Sequence, residues 1–294
     1  MTLKTQTMKK FGLIGYPIGS SMSPALFKAG YKGKYDYDLI EEADFDTAYE
    51  KFMAGYAGIN VTAPFKLQAF SRADKKSEMC RKIGAANLLI KSEDGSVNAF
   101  NTDFDGVSLS ILEAILPDRG LDYFYLYGSD FSSVKTMLPT IYGHRPKAMI
   151  AGCGGAGRAA AAAAAALGYD TVLVNRSPEK AAKIADEMPD YHFRSAGIEH
   201  FPEMLAEADL LVYTIPERIC GLEKLDRSMF ASPGKIILEA NYRQPSFKAA
   251  DISLINGCKG TYVSGLRWLL YQALVGFKIF TGENPDFDRM CEVL

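Results

Sequence analysis

Histidine is scarce in this chain, and no two cysteines form a CxxC pair. The three histidines (His144, His192 and His200) lack metal-ligand spacing and the five cysteines (Cys80, Cys153, Cys220, Cys258 and Cys291) are scattered. A reduced, cytoplasmic, metal-free protein is therefore predicted. Long apolar runs are missing too. No window of about 18 uninterrupted apolar residues occurs, and the opening MTLKTQTMKK leads straight into a strand-like run, Phe11 to Ile14. Neither export nor membrane insertion is expected. Excess charge of either sign is also absent: 33 Lys and Arg against 35 Asp and Glu give a formal net charge of -2 at pH 7. Nothing marks a nucleic-acid backbone or an anionic membrane as a partner, which leaves small-molecule chemistry.

What the chain does have is length and rhythm. With 294 residues, 48% hydrophobic and 23% charged, it can bury more core than one small domain needs, which predicts two lobes. From Phe11 to Leu112, short β-like runs (FGLIGY, YDYDLI, AGINVT, ANLLIK) alternate with helical stretches such as Ala43 to Tyr56. The segment from Pro117 to Arg145 has mixed periodicity and predicts irregular structure or one short helix. From Pro146 the rhythm returns as KAMIAG, a glycine-rich turn, a helix to Leu167, TVLVNRS, a helix, DLLVYT and KIILEA, a βαβ series that implies a parallel sheet. Lys259 to Gly282 reads as one long amphipathic helix ended by glycine, with a short helix in the tail. The alanines from Ala159 to Ala166 suit a helix that approaches a sheet closely.

Gly152-Cys-Gly154-Gly155-Ala156-Gly157 follows an apolar strand and opens a helix. In that context the glycines let the backbone approach a pyrophosphate, and the helix N-terminus offers free N–H groups to its charge. The next strand ends in Asn175-Arg176-Ser177, where an NAD enzyme usually presents an acid to the ribose 2'-hydroxyl. Arg176 can instead fork onto a 2'-phosphate, with Ser177 and Lys180 in reach, which favours NADP. The competing interpretation is a plain helix start, with Ser177 as N-cap and Pro178 as first residue.

Five more segments place polar residues at expected strand ends, where open α/β sheets bind ligands. They are Gly15 to Pro24, with Ser21 and Ser23; Asn60-Val-Thr62-Ala-Pro64-Phe-Lys66; Gly84 to Asn87; Asn101-Thr-Asp103; and Gln272-Ala273. In that order, together with the glycine turn and the NRS cluster, they resemble the shikimate dehydrogenase family along nearly the whole chain. The resemblance implies an α/β enzyme of two lobes. Residues 1–104, completed by 265–294, would bind substrate; residues 105–264 would form a Rossmann-like NADP lobe, with the active site in the cleft between them.

It further implies that Ser21, Ser23, Asn60, Thr62, Asn87, Tyr242 and Gln272 hold the substrate's carboxylate and hydroxyls. Lys66 and Asp103 would carry the acid–base step, and Gly152, Gly154, Gly155, Ala156, Asn175, Arg176, Ser177, Lys180 and Gly265 would hold the cofactor. The chemistry suits those roles. An ammonium can stabilise and protonate the oxygen of a ketone accepting hydride, and a carboxylate beside it orients the amine and balances its charge. Taken singly, Lys66 is also compatible with a solvated surface lysine, and Asp103 with a helix cap.

The implied reaction is reversible hydride transfer between NADPH and 3-dehydroshikimate, giving shikimate in aromatic amino-acid (chorismate) biosynthesis, by a cytoplasmic monomer or homodimer. The alternatives are a quinate or shikimate-like dehydrogenase with shifted substrate or NAD use, and a catalytically weak relative that only binds NADP or a metabolite. Three positions depart from the family pattern: Ser20 where a histidine is usual, the loop Tyr213-Thr-Ile-Pro216-Glu217, and Arg267-Trp268, where a small residue and a methionine are usual. Trp268, the only tryptophan, is also compatible with a core aromatic on an amphipathic helix.

Overall fold

The computed structural model describes residues 9–117, 130–230 and 234–294, so residues 118–129 of the Pro117 to Arg145 segment lie outside the described residues. The chain divides into two compact units, Met1–Thr102 with Gln272–Leu294, and Asp103–Tyr271.

In the first unit the order is β1 (Lys10–Gly15), α1 (Ser23–Tyr31), β2 (Asp36–Glu41), α2 (Phe45–Gly55), β3 (Gly58–Val61), α3 (Lys66–Arg72), β4 (Lys75–Lys76), α4 (Glu78–Ile83), β5 (Leu88–Lys91) and β6 (Val97–Phe100). The sheet runs β2-β1-β3-β5-β6-β4. β1 pairs in parallel with both β2 and β3, whereas β5 is antiparallel to β3 and to β6. Strand β1 is buried at all but its first residue, as a strand covered on both faces should be. α2 shows why its sequence is helical: Asp44 accepts from Thr47 N–H at 2.8 Å to cap it, and Phe45, Ala48, Tyr49 and Phe52 form one buried face. The short strands β4 and β6 were not foreseen.

The second unit contains α5 (Asp103–Ile115), α6 (Ser132–Tyr142), β7 (Lys147–Ala151), α7 (Gly155–Leu167), β8 (Asp170–Asn175), α8 (Pro178–Glu187), β9 (Arg194–Gly197), α9 (Phe201–Glu207), β10 (Leu210–Tyr213), β11 (Ile236–Glu239), α10 (Ala249–Gly257) and β12 (Thr261–Val263). Its sheet is wholly parallel, in the order β12-β11-β10-β7-β8-β9. The order reverses between β7 and β10, the dinucleotide-binding arrangement with its crevice at the strands' carboxyl ends. Ala159 to Ala164 are fully buried, so the alanine run does serve close packing.

The expected helix from Lys259 to Gly282 divides in two. Thr261–Val263 pairs with β11 from Ile236 to Leu238, and the helix itself, α11, spans Gly265–Thr281. A free parallel edge offered by β11 outcompetes helix propensity in a Thr-Tyr-Val stretch rich in β-formers. The unit boundary falls within α11, between Tyr271 and Gln272, rather than at Gly265, because side chains of its first turn bind α5. The tail forms α12 (Phe287–Cys291). Among the described residues no helix is long and apolar enough to cross a membrane.

Candidate active site

In the first unit, polar side chains near strand ends form a serine pair and a separate hydrogen-bonded chain. Ser21 and Ser23 follow β1, with Ser21 Oγ donating to Ser23 Oγ at 3.2 Å and Ser23 N–H donating to Ser21 Oγ at 3.3 Å. Tyr37, on the neighbouring strand β2, donates its hydroxyl to Asn60 Oδ1 at 2.8 Å. Burial pushes its phenol well above the usual range. Asn60 Nδ2 reaches the Asn87 carbonyl at 3.4 Å. Asn87 Nδ2 donates to Gln272 Oε1 at 2.8 Å and to Thr102 Oγ1 at 3.1 Å, while its Oδ1 accepts Thr102 N–H at 2.7 Å. Gly276 of α11 lets the helix come this close, because a Cβ there would sit 3.3 Å from Thr102 Oγ1 and 3.0 Å from Leu88. Asn101 donates to the Ala85 carbonyl at 2.8 Å, and its buried Oδ1 has no hydrogen-bond partner among the described residues.

Thr62 and Lys66 flank the turn after β3. Thr62 N–H is held by the Ile14 carbonyl at 2.9 Å, and Lys66, half-buried, is the first residue of α3, with its carbonyl accepting Ala86 N–H at 2.9 Å. Sequence reasoning overlooked Tyr37 and Thr102. Tyr37 lies in the YDYDLI run, where nothing local separates a network phenol from an ordinary strand aromatic.

In the second unit, β7 ends at Ala151 and the chain turns through Gly152 at φ 105° into Gly154, the N-cap of α7. A Cβ on Gly157 would run into the Gly152 carbonyl, so the helix start can lie against the turn only without a side chain. No side chain caps the first turn of α7, and a Cβ on Gly154 would meet nothing within 4 Å. Free N–H groups facing open space suit a pyrophosphate.

Asn175 ends β8. Ser177 stands at the N-cap position of α8 with Pro178 next, but its hydroxyl makes no capping bond, so the plain helix-start reading accounts for Pro178 and not for the serine. Arg176 and Lys180 are exposed. Arg176 Nη1 lies 3.6 Å from Glu217 Oε2, a pair that the sequence did not foretell.

Asp103 opens α5 and is 4% exposed; Trp268 Nε1 donates to its Oδ1 at 3.2 Å. Both readings of this aspartate keep support, since it stands in a helix's first turn and is also a buried, hydrogen-bonded carboxylate. Tyr242 sits on the loop after β11 under the Arg243 guanidinium, 5.5 Å from its ring centroid. That loop hangs from buried Glu239, which accepts from the Ser246 and Phe247 N–H groups and from Tyr262 Oη. Gly265 begins α11 against the Ala240 carbonyl, where a Cβ would collide. Thus, in the first unit, Ser21 pairs with Ser23, Asn60, Asn87 and Gln272 are joined, and Thr62 and Lys66 adjoin β3, while Asp103 and Tyr242 belong to the second.

Comparison with known proteins matches segments of both units. The shikimate dehydrogenase substrate-binding domain matches residues 13–89, and the shikimate/quinate 5-dehydrogenase domain matches residues 136–234. A shikimate dehydrogenase (NADP(+)) of Haloarcula marismortui is 31% identical, covering 96% of this chain and 97% of its own. The chain belongs to the shikimate dehydrogenase family. Among solved structures, the shikimate dehydrogenase of Mycobacterium tuberculosis is similar at a TM-score of 0.75 and 27% identity, covering 97% of this chain and 98% of its own. The shikimate 5-dehydrogenase of Thermus thermophilus, in complex with shikimate, gives a TM-score of 0.73 at 25% identity, with 97% of each chain covered. Within this shikimate dehydrogenase family chain, the departures at Tyr213–Glu217 and Arg267-Trp268 each make a specific contact, Glu217 with Arg176 and Trp268 with Asp103.

Proposed function

We propose that this chain is an NADP-dependent shikimate dehydrogenase that interconverts 3-dehydroshikimate and shikimate. The observation that carries this reading is the Tyr37–Asn60–Asn87–Gln272 chain of hydrogen bonds, in which Asn87 accepts through its main-chain carbonyl and donates through its amide, with the Ser21–Ser23 pair in the same unit of a chain whose relatives are dehydrogenases of a polyhydroxylated ring acid. Short neutral donors and acceptors are what such a ring needs for orientation.

Ser21 and Ser23 would take the substrate carboxylate, while Asn60, Thr62, Asn87, Tyr242 and Gln272 would take its hydroxyls and ring edge. Gly152, Gly154, Gly155 and Ala156 would face the pyrophosphate of NADP, and Asn175, Arg176, Ser177 and Lys180 its adenosine 2'-phosphate, with Gly265 leaving room beside Ala240. NADP, when bound, supplies or accepts the hydride. Lys66 stabilises the negative charge that grows on the reacting oxygen and gives it a proton; in the reverse direction it takes that proton back. Asp103 balances the ammonium's charge and orients it.

Glu217 favours one variant of this reading. Its carboxylate lies 3.6 Å from the Arg176 guanidinium and would compete with a 2'-phosphate for it, which bears on the alternative of NAD use. Turnover with shikimate and with quinate, each with NADP and with NAD, tests both. Shikimate with NADP should give the highest kcat/KM. A quinate or NAD preference would overturn the corresponding half of the proposal, and ligand binding without any NADPH consumption would leave only a binding protein.

A further inference from the structure

We propose that Trp268 is a positioning residue for Asp103, an inference that rests on the acid–base role given to Asp103 above. The indole of Trp268 is 5% exposed and the Asp103 carboxylate 4% exposed, and Nε1–H donates to Oδ1 at 3.2 Å. An indole nitrogen can donate but not accept, so this contact requires an oxygen lone pair of Asp103 to face the ring. Donation to a charged acceptor away from water is the stronger kind of hydrogen bond. A carboxylate turns about two single bonds; a rigid bicyclic donor packed in the core fixes its plane.

The donor itself is anchored. The adjacent Arg267 forks onto Glu113 of α5, with Nε to Oε2 at 2.9 Å and Nη2 to Oε1. Glu113 lies about 15 Å along α5 from Asp103 at 1.5 Å per residue. The first turn of α11 is therefore bound to α5 both at the helix's first residue and near its far end. The Arg267-Trp268 pair makes these contacts together: the arginine sets the two helices' register, and the tryptophan aims the carboxylate.

Trp268→Phe keeps a ring and removes the donor. We expect kcat for shikimate oxidation to fall about tenfold, the lower range for loss of a partner that orients a functional side chain. The Kd of NADP, from titration, should change less than about twofold. If Trp268 acts through Asp103, the loss must vanish in the Asp103→Asn background, because the two changes remove one interaction. A purely structural tryptophan would instead lower stability and impair both backgrounds alike. As the only tryptophan, Trp268 also reports on itself, so wild-type and Asp103→Asn protein should differ in fluorescence emission even if Trp268→Phe does not fold. Identical emission spectra, unchanged kcat in Trp268→Phe, or an equal loss in both backgrounds would each overturn the proposal. Wild-type kcat in Asp103→Asn alone would remove the role of Asp103 first, and the proposal with it.

Discussion

Asn87→Ala tests the hydrogen-bonded centre of the first unit. Asn87 is 2% exposed, and its Oδ1 accepts Thr102 N–H, itself on a residue 1% exposed, at 2.7 Å. Truncation leaves that N–H buried and unpaired, at a cost of about 1–3 kcal/mol. Gln272 Oε1 also loses its donor at 2.8 Å, but Gln272 is half-buried and water can replace the amide at little cost. The expected local loss is thus about 2 kcal/mol, which speeds Thr102 amide exchange about 30-fold at 1.36 kcal/mol per factor of ten. The Michaelis constant for shikimate should rise in parallel as Gln272 loses its orientation. Native-state hydrogen exchange resolved at Thr102, with steady-state kinetics on the same sample, measures both. Asn87→Asp serves as control: it keeps the acceptor for Thr102 N–H and should keep most of the protection. If Thr102 exchanges equally slowly in Asn87→Ala and KM is unchanged, Asn87 does not organise this network.

Arg176→Ala should weaken NADP by about 1–3 kcal/mol, the range for hydrogen bonds to charged groups, and leave NAD nearly unchanged; equal losses in Kd refute phosphate reading. Glu217→Gln removes the carboxylate 3.6 Å from Arg176 and should tighten NADP binding a few-fold, most clearly at low salt; weaker binding would show that Glu217 supports the site. Lys66→Ala should lower kcat about 100-fold or more and spare NADP affinity; a raised KM with normal kcat would reduce Lys66 to a binding residue. Burial pushes the Asp105 carboxyl from 3.8 up to about 7, so the folded chain keeps its proton to higher pH than the unfolded chain. Stability is therefore lost as pH rises from about 4 to about 7 and is constant above. Asp105→Asn should gain about 1–2 kcal/mol at pH 8, discounted because part of the side chain meets water, and nothing at pH 4; equal gains at both, from denaturation midpoints, refute this.

What could be read from the sequence was whatever is encoded locally. The turn after β7 needs glycine for positive φ at Gly152 and for close approach at Gly157, and both needs show as spacing within six residues. The long strands were legible because their apolar runs are bounded by turns. β4, with two residues, is too short to leave a pattern, and β12 hides in a stretch whose periodicity also fits a helix. The contacts that organise the candidate site were not legible in the same way. Asn87 meets Gln272 across 185 positions and Asp103 meets Trp268 across 165, so topology sets those pairs. Motif order could nominate Asn87, Gln272 and Asp103 individually, but not their partners, and Tyr37 had no motif at all.

The departure at Tyr213–Glu217 is best understood as one brace rather than as separate substitutions. Tyr213 is fully buried between Phe201 and Phe247, with ring centroids 6.4 and 5.6 Å away, and its hydroxyl donates to the Glu217 carbonyl at 2.5 Å. A residue without that phenol could fill the pocket but could not hold the loop four positions on. The next side chain, Arg218, donates to the Ser246 carbonyl and the Asp251 carboxylate, each at 2.6 Å. The loop that carries Glu217 towards Arg176 is thereby tied to the loop that carries Tyr242, and Glu239 fixes the same second loop from beneath through the Ser246 N–H. A buried hydroxyl at one end and an arginine fork at the other fix the main chain that carries Glu217. Whatever Glu217 does to cofactor selectivity therefore depends on Tyr213: Tyr213→Phe, which removes only the hydroxyl, should release the loop and carry Glu217 away from Arg176 without touching either charge.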